Sequence, residues 1–197
     1  MSGRIIILSG PSRCGKNTTL SALLADRRFR FHHITTFTTR PKRSEEEAGV
    51  HHYFISETKF KTMMKHGEFL EWARVRGAYF GTPLKSVIQV FERGENILLE
   101  IDIQGMKLIK KKLGEAVTSI FLKPSSIEDV KERLMESGFS PEQQKIRLAE
   151  ARREIAGSCA YDYIVENKPG QLKQAIQAVK AIVRTMTRSS QGFIDKK

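Results

Sequence analysis

The sequence predicts an α/β fold, a parallel sheet flanked by helices that carries a mainly β insertion. Three observations predict it. Short apolar runs, RIIIL near the N-terminus and then ENILLEID and VTSIFL, alternate with segments whose apolar residues recur at helical spacing. A glycine-rich turn joins the first run to the first helix. From Phe31 to Thr82 the texture changes to Thr, Arg, His and aromatic residues in short alternating runs.

Each element has its own signal. RIIIL reads as a buried strand, and the helix after Lys16 places Leu20, Leu23 and Leu24 on one face. Within the insertion, HHYFI and FLEWARV read as strands around one short helix, TKFKTMMKHG. Thr82-Pro83 is expected to cap the helix LKSVIQVFERG, closed by Gly94. ENILLEID is an apolar strand ending in carboxylates, with a helix from Gln104 to about Leu113. VTSIFL is the next strand, and Ser125 with Glu128 has capping-box spacing at the start of SSIEDVKERLMESG. Ser140 as N-cap and Pro141 at the first position open another helix. YDYIVEN is the last strand, before a C-terminal helix from about Gln171 to Met186. The tail RSSQGFIDKK shows no periodicity and is expected to be frayed.

With 197 residues and a 40% hydrophobic content, the chain is expected to form one soluble globular unit. No apolar run approaches the roughly 18–20 residues that span a bilayer, and the N-terminal run is too short for a signal peptide, so no membrane partner and a cytoplasmic location are expected. Cys14 and Cys159 have no CxxC spacing, which indicates neither a disulfide framework nor a zinc site. The net charge of +12 suits anionic partners. The basic residues are interspersed with Asp and Glu and are not interleaved with aromatics, so small phosphorylated ligands are expected and nucleic acid is not.

The turn GPSRCGKN carries the chemistry. Gly10, Gly15 and Lys16 fit GxxxxGK between a strand and a helix, the arrangement in which backbone N–H groups curl round phosphates and the lysine reaches the terminal oxygens. The expected donor-nucleotide site is Gly10, Pro11, Ser12, Arg13, Cys14, Gly15, Lys16, Asn17 and Thr18. Asn17 stands where a Ser or Thr is usual, and its side-chain oxygen can face a metal or the metal's water shell. Arg13 occupies a loop position where φ above zero is costly for a residue with a Cβ. Cys14 reads as a small filler, or as a thiol whose pKa a nearby helix N-terminus lowers.

TTFTTRPKR, GVHHYF, GEFLEWA, AYFGTP and LLEIDIQG follow GPSRCGK in that order, and the ordered set resembles the guanylate kinase family from about residue 4 to about residue 185. The resemblance implies a P-loop NTPase core (4–34, 83–125 and 158–185), an inserted GMP-binding subdomain (35–82) and a helical lid (126–157), with 186–197 beyond them. It implies transfer of the ATP γ-phosphoryl group to GMP, with Mg²⁺, in purine nucleotide metabolism, by a monomer or homodimer. Arg40 and Arg43 match arginines that grip the GMP phosphate, a task suited to guanidinium forks. Glu71 and Asp102 match carboxylates that read the guanine N–H donors, and Thr36 and Thr82 match hydroxyl contacts to the base. Glu100 matches an acidic residue near the Mg²⁺ shell, Arg133 and Arg147 match lid arginines over the transferring phosphoryl, and Asn167 matches an asparagine near the ATP base. Lys16, Arg40, Arg133 and Arg147 are thereby expected to neutralise charge during transfer.

Several positions depart from the family pattern. His52 stands in place of a phosphate-binding tyrosine, with Tyr53 able to serve if the strand slips by one residue. Phe80 replaces a second such tyrosine, beside Tyr79. Phe37 fills a usually small position, Ser137 replaces a lid arginine, and the lid turn after it is one residue short. On the residues alone, Arg40 and Arg43 also read as a solvated basic loop, Glu71 as an exposed edge-strand carboxylate, and Arg133 and Arg147 as surface arginines. Glu100 and Asp102, alternate carboxylates ending an apolar strand, read as functional. Trp72, Met63 and Met64 read as packing, and His32, His33 and His51 as polar strand or loop positions. Two rival functions are a phosphopeptide-binding module of the same fold and a kinase acting on a phosphorylated sugar. The first sits poorly with Lys16, and the second leaves Glu71 and Asp102 without a base to read.

Overall fold

The computed structural model describes residues 3–188 except 45. In chain order the elements are β1 (Ile5–Ser9), α1 (Lys16–Leu24), β2 (Phe31–His33), β3 (Thr36–Thr38), β4 (His52–Phe54), α2 (Glu57–Lys65), β5 (Phe69–Val75) and β6 (Ala78–Pro83). They continue as α3 (Leu84–Glu92), β7 (Asn96–Glu100), α4 (Ile103–Leu113), β8 (Val117–Pro124), α5 (Ile127–Met135), α6 (Pro141–Ala156), β9 (Tyr163–Asn167) and α7 (Leu172–Arg188). The last helix runs past Met186, and the tail expected to fray lies outside the described residues from 189 onward.

β2, β7, β1, β8 and β9 form a five-stranded parallel sheet in that order. Burial on both faces explains why β1 is apolar at nearly every position. Ile5 and Ile7 pack towards Val87, Val90, Met106 and Ile109 of α3 and α4. Ile6 and Leu8 pack the other way, towards Leu20 and Leu23 of α1 and Val179 and Val183 of α7. Leu24 is exposed, a departure from the face expected for it, and Thr19 takes the buried place beside Leu20. β2, at the start of the aromatic-rich texture, is the edge of this core sheet.

The insertion is a separate four-stranded sheet in the order β4-β3-β6-β5. Strand alternation divides its side chains. Phe37, Phe69 and Tyr79 pack with Phe60 and Met63 under α2, while Thr36, His52 and Phe80 lie on the opposite face. Above the core, α5 and α6 pair around their own small cluster of Val130, Leu134 and Ala151.

Two caps differ from the sequence expectation. Ser126, not Ser125, caps α5 by accepting from Asp129 N at 3.0 Å, and the Ser125 hydroxyl donates to the Asp129 carboxylate. Pro83 occupies the N-cap of α3 without a side-chain bond, because its ring carries no acceptor, and the Thr82 hydroxyl bonds Glu71 instead. Gly94 closes α3 at φ +65° as expected, and Ser140 forms a reciprocal capping box with Gln143 behind Pro141.

Candidate functional site

The carboxyl ends of β1, β7 and β9 bring the phosphate loop, Glu100 and Asn167 to one edge of the parallel sheet, where ligands bind in such folds. Lys16 opens α1 and folds back over its loop, donating to Gly10 O at 2.7 Å and Pro11 O at 3.0 Å, with Glu100 Oε1 at 3.6 Å. Burial acts against the lysine's charge, yet its pKa is raised, because negative neighbours outweigh burial. Cys14 is not a source of that charge: burial pushes its thiol up and keeps it neutral, which excludes the lowered-pKa alternative and leaves Glu100 as the carboxylate paired with Lys16, with Glu154 acting on it only through its field. Asn17 and Thr18 are exposed on the first turn of α1.

Arg13 does adopt the costly conformation, at φ +65° between Gly10 and Gly15, both also at positive φ. Its carbonyl accepts from Arg133 Nη1 at 3.3 Å, and its guanidinium lies 5.7 Å from the Phe139 ring centre. Asn167 braces the loop from β9, its Nδ2 donating to Cys14 O at 2.9 Å. Its Oδ1 is buried without a hydrogen-bond partner among the described residues. Beside it a cleft of ≈ 350 Å³ opens, lined by Arg13, Gly15, Arg133, Asn167, Pro169 and Leu172 among others.

On the β5–β6 hairpin, Glu71 is buried at 5% exposure, so it is not an exposed edge carboxylate. Thr82, opposite it on β6, donates to its Oε1 at 2.5 Å. Burial drives the Glu71 pKa up to about 7, with the negative charge of Asp102 adding to the rise and the Thr82 hydroxyl opposing it. Asp102 caps α4, accepting from Gln104 N and Gly105 N at 3.0 and 2.9 Å. A Cβ on Gly105 would sit 2.8 Å from Glu71 Oε2, so only glycine lets the helix start approach the carboxylate this closely.

On the same side, Thr36 Oγ1 lies 2.8 Å from His52 Nδ1. Burial, then the Arg40 cation, lowers the His52 pKa to about 4, so the ring is neutral at pH 7. Phe80 packs edge-on against it at 5.7 Å. Tyr53 and Tyr79, named from sequence as alternative phosphate partners, lie on the other face: Tyr53 stacks on Phe37 at 4.8 Å and Tyr79 on Phe60 at 5.3 Å. A one-residue slip is excluded in this structure because β3 and β4 pair Thr36 with His52 and Phe37 with Tyr53.

Arg40 is no loose solvated side chain. Its guanidinium forks onto Glu46, with Nη1 donating to Oε2 at 2.6 Å and Nη2 to Oε1, above the Phe54 ring. Glu46 also accepts from Arg43 N at 2.9 Å, and Arg40 holds its pKa down at about 2. The Arg43 side chain is exposed.

Both arginines expected in a lid, Arg133 on α5 and Arg147 on α6, are engaged. Arg133 grips Asp129 with two bonds and donates to Arg13 O and Asn167 O, which ties α5 to the phosphate loop. Arg147 on α6 donates to Ser12 Oγ at 3.0 Å and stacks 3.9 Å from the Phe139 ring centre. Burial first, then the nearby cations Arg76 and Arg43, lowers its pKa from the usual guanidinium value. Such a cluster of positive charge suits phosphate oxygens.

Four residues of this neighbourhood escaped the sequence reading: Glu46, Arg76, Glu150 and Glu154. Arg76 at the β5–β6 turn pairs with Glu150 on α6, and Glu154 lies one turn further along with a buried, unpartnered Oε2 and a pKa raised by burial to about 7. Arg147, Glu150 and Glu154 follow i, i+3, i+7 spacing, a signal of a shared helix face that the sequence does contain.

The Guanylate kinase family model matches residues 2–186. The chain is 40% identical over 183 residues to a guanylate kinase of Symbiobacterium thermophilum, covering 92% of this chain and 84% of that protein. It is 39% identical over 182 residues to a guanylate kinase of Carboxydothermus hydrogenoformans, covering 92% and 87%. Among solved structures, guanylate kinase from Anaplasma phagocytophilum aligns with a TM-score of 0.77 and 29% identity over 93% of this chain and 86% of that one. The SH3-kinase fragment of tight junction protein 3 aligns with a TM-score of 0.50 and 12% identity over 93% and 57%, a likeness of fold alone.

Proposed function

This chain belongs to the guanylate kinase family and phosphorylates GMP at the expense of ATP, and on that premise we propose which residues carry the transfer. Buried Glu71, held by Thr82 against the start of α4, is the observation that carries the assignment. Ionised, it accepts the N1–H and N2–H of guanine, a pair of donors that adenine does not present. Asp102 is a second carboxylate near it, and Thr36 supplies a hydroxyl.

Arg40, Arg43 and the neutral His52 ring hold the GMP phosphate, with Phe80 as the apolar wall behind them. Residues 10–18 hold the ATP phosphates, and the cleft at Asn167 and Pro169 takes the donor base. Lys16 is poised for this role: its bonds to Gly10 O and Pro11 O are ones that a phosphate oxygen would replace. Arg133 and Arg147 lie over the path of the transferred group. The acceptor phosphate is already an oxyanion at neutral pH, so in-line transfer requires positioning and charge neutralisation and no general base.

The oxygen donors at this edge fit Mg²⁺, which keeps several waters and takes one or two protein ligands beside the nucleotide phosphates. Glu100 and the exposed Asn17 amide are the residues that would hold it, through water, and bound there the ion would neutralise charge on the transferring phosphoryl group. Monomer or homodimer, and a cytoplasmic location, belong to the same reading. Among the described residues, no helix is long and apolar enough to cross a membrane.

Release of ADP, followed with GMP, dGMP, AMP, CMP, UMP and ribose 1,5-bisphosphate as acceptors, tests the assignment. GMP and dGMP should be used and the rest refused. Silence with every acceptor alongside measurable GMP binding would favour the phosphopeptide-module reading, and use of the sugar phosphate would favour the other rival.

A further inference from the structure

The turn joining β5 and β6 consists of two residues, Arg76 and Gly77, at φ +52° and +81°. Such hairpin turns strongly favour Asn, Asp or Gly where φ is positive, and arginine at the first position works against the turn. What the arginine supplies is its guanidinium. Nε donates to Glu150 Oε1 at 2.7 Å and Nη2 is in ion-pair contact with Oε2, which accepts no hydrogen bond among the described residues, so one charge-assisted bond joins the acceptor hairpin to the lid helix α6.

The two ends of this contact lead to the two halves of the site. Down the hairpin lie Glu71 and Thr82, the base readers. Along α6, three residues before Glu150, lies Arg147 with its bond to Ser12 of the phosphate loop. The hairpin tip and the donor loop are therefore joined through one helical turn of α6. We propose that the Arg76–Glu150 pair is a clasp between the acceptor hairpin and the lid, and that Arg76 is a positioning residue that seats Arg147 at the phosphate loop. The proposal rests on the role assigned above to Arg147. Arg76 is 40% and Glu150 17% exposed, so the pair contributes little to fold stability and its effect belongs to turnover.

The test compares the full-length enzyme with Arg76→Asn, Glu150→Gln, the double variant, and the charge swap Arg76→Glu with Glu150→Arg. Asn suits the turn conformation, so the hairpin is retained. Each single change should lower kcat about tenfold with KM for GMP within about twofold, a coupling of ordinary size. The double variant should be no slower than either single, and the swap should recover most of the loss. In an Arg147→Gln background, Arg76→Asn should cost nothing further. Wild-type kcat in the single variants, multiplicative losses in the double, or a full additional loss without Arg147 would each overturn the clasp. An inactive wild-type enzyme would instead overturn the assignment of function, so the two failures are distinguishable.

Discussion

The Thr82 hydroxyl donates to Glu71 Oε1 across 2.5 Å, with both side chains buried between the β5–β6 hairpin and the first turn of α4. The bond favours the ionised carboxyl, while burial and Asp102 favour the neutral one and bring its pKa to about 7.

GMP binding should therefore depend on pH. Only the carboxylate accepts both guanine donors, so KM for GMP should fall about tenfold between pH 6 and pH 8 as Glu71 ionises. Glu71→Gln should raise KM, narrow the preference for GMP over AMP, and leave only the pH dependence of the GMP phosphate itself. In the unliganded protein the sign is opposite. A carboxyl raised from 4.5 to about 7 stabilises the fold below about 4.5 and loses that contribution as pH rises through 7, which thermal melting between pH 4.5 and 8 would read. A KM that does not change with pH would place base reading elsewhere.

Lys16→Ala should abolish transfer while GMP affinity by calorimetry stays within about threefold of wild type, since the role proposed for the lysine is at the donor phosphates alone. Full activity in this variant would remove the loop from the reaction.

Glu46 organises the segment that carries both arginines proposed to hold the GMP phosphate, through Arg40's fork and Arg43's backbone N–H. Glu46→Ala should raise KM for GMP about tenfold with a smaller change in kcat, because the arginines must then be ordered by the ligand itself. A lowered KM would mean that Glu46 competes with the phosphate for Arg40.

Arg13→Gly should separate stability from activity. Relief of the positive φ should stabilise the fold by about 1 kcal/mol. Loss of the guanidinium facing Phe139 should lower kcat, because Ser137, whose hydroxyl bonds Leu134 O, supplies no charge in its place. A variant both stabler and equally fast would show that Arg13 has no part in transfer, and Ser137→Arg should then raise kcat.

Local signals made the fold legible. Continuous apolar runs gave the parallel strands, and Ser140, Pro141 and Gly94 marked helix ends correctly because capping depends on a few adjacent residues. The spacing of Ser125 and Glu128 points to a cap that Ser126 takes instead, because Ser126 with Asp129 offers the same spacing one residue on. Which of two neighbouring aromatics faces the cleft depends on register, so Tyr53 and Tyr79 could be assigned only once β3, β4 and β6 were paired. The partners of Arg40 and Arg76 were illegible for another reason. Glu46 lies in a run of three glutamates, and Glu150 is 74 residues from Arg76, so only the folded chain selects them.

The lid holds its own small core, Val130, Leu134 and Ala151, apart from the two that pack the sheet. Phe139 apart, which packs on that core and faces Arg13 and Arg147, the turn between α5 and α6 lies outside the packing of the sheet. A residue can be lost there, or an arginine exchanged for Ser137, without disturbing the strands that present Glu71 and Asp102. On the site assignment proposed above, changes at 136–138 and 140 act on turnover and leave in place the packing that holds Glu71 against the start of α4.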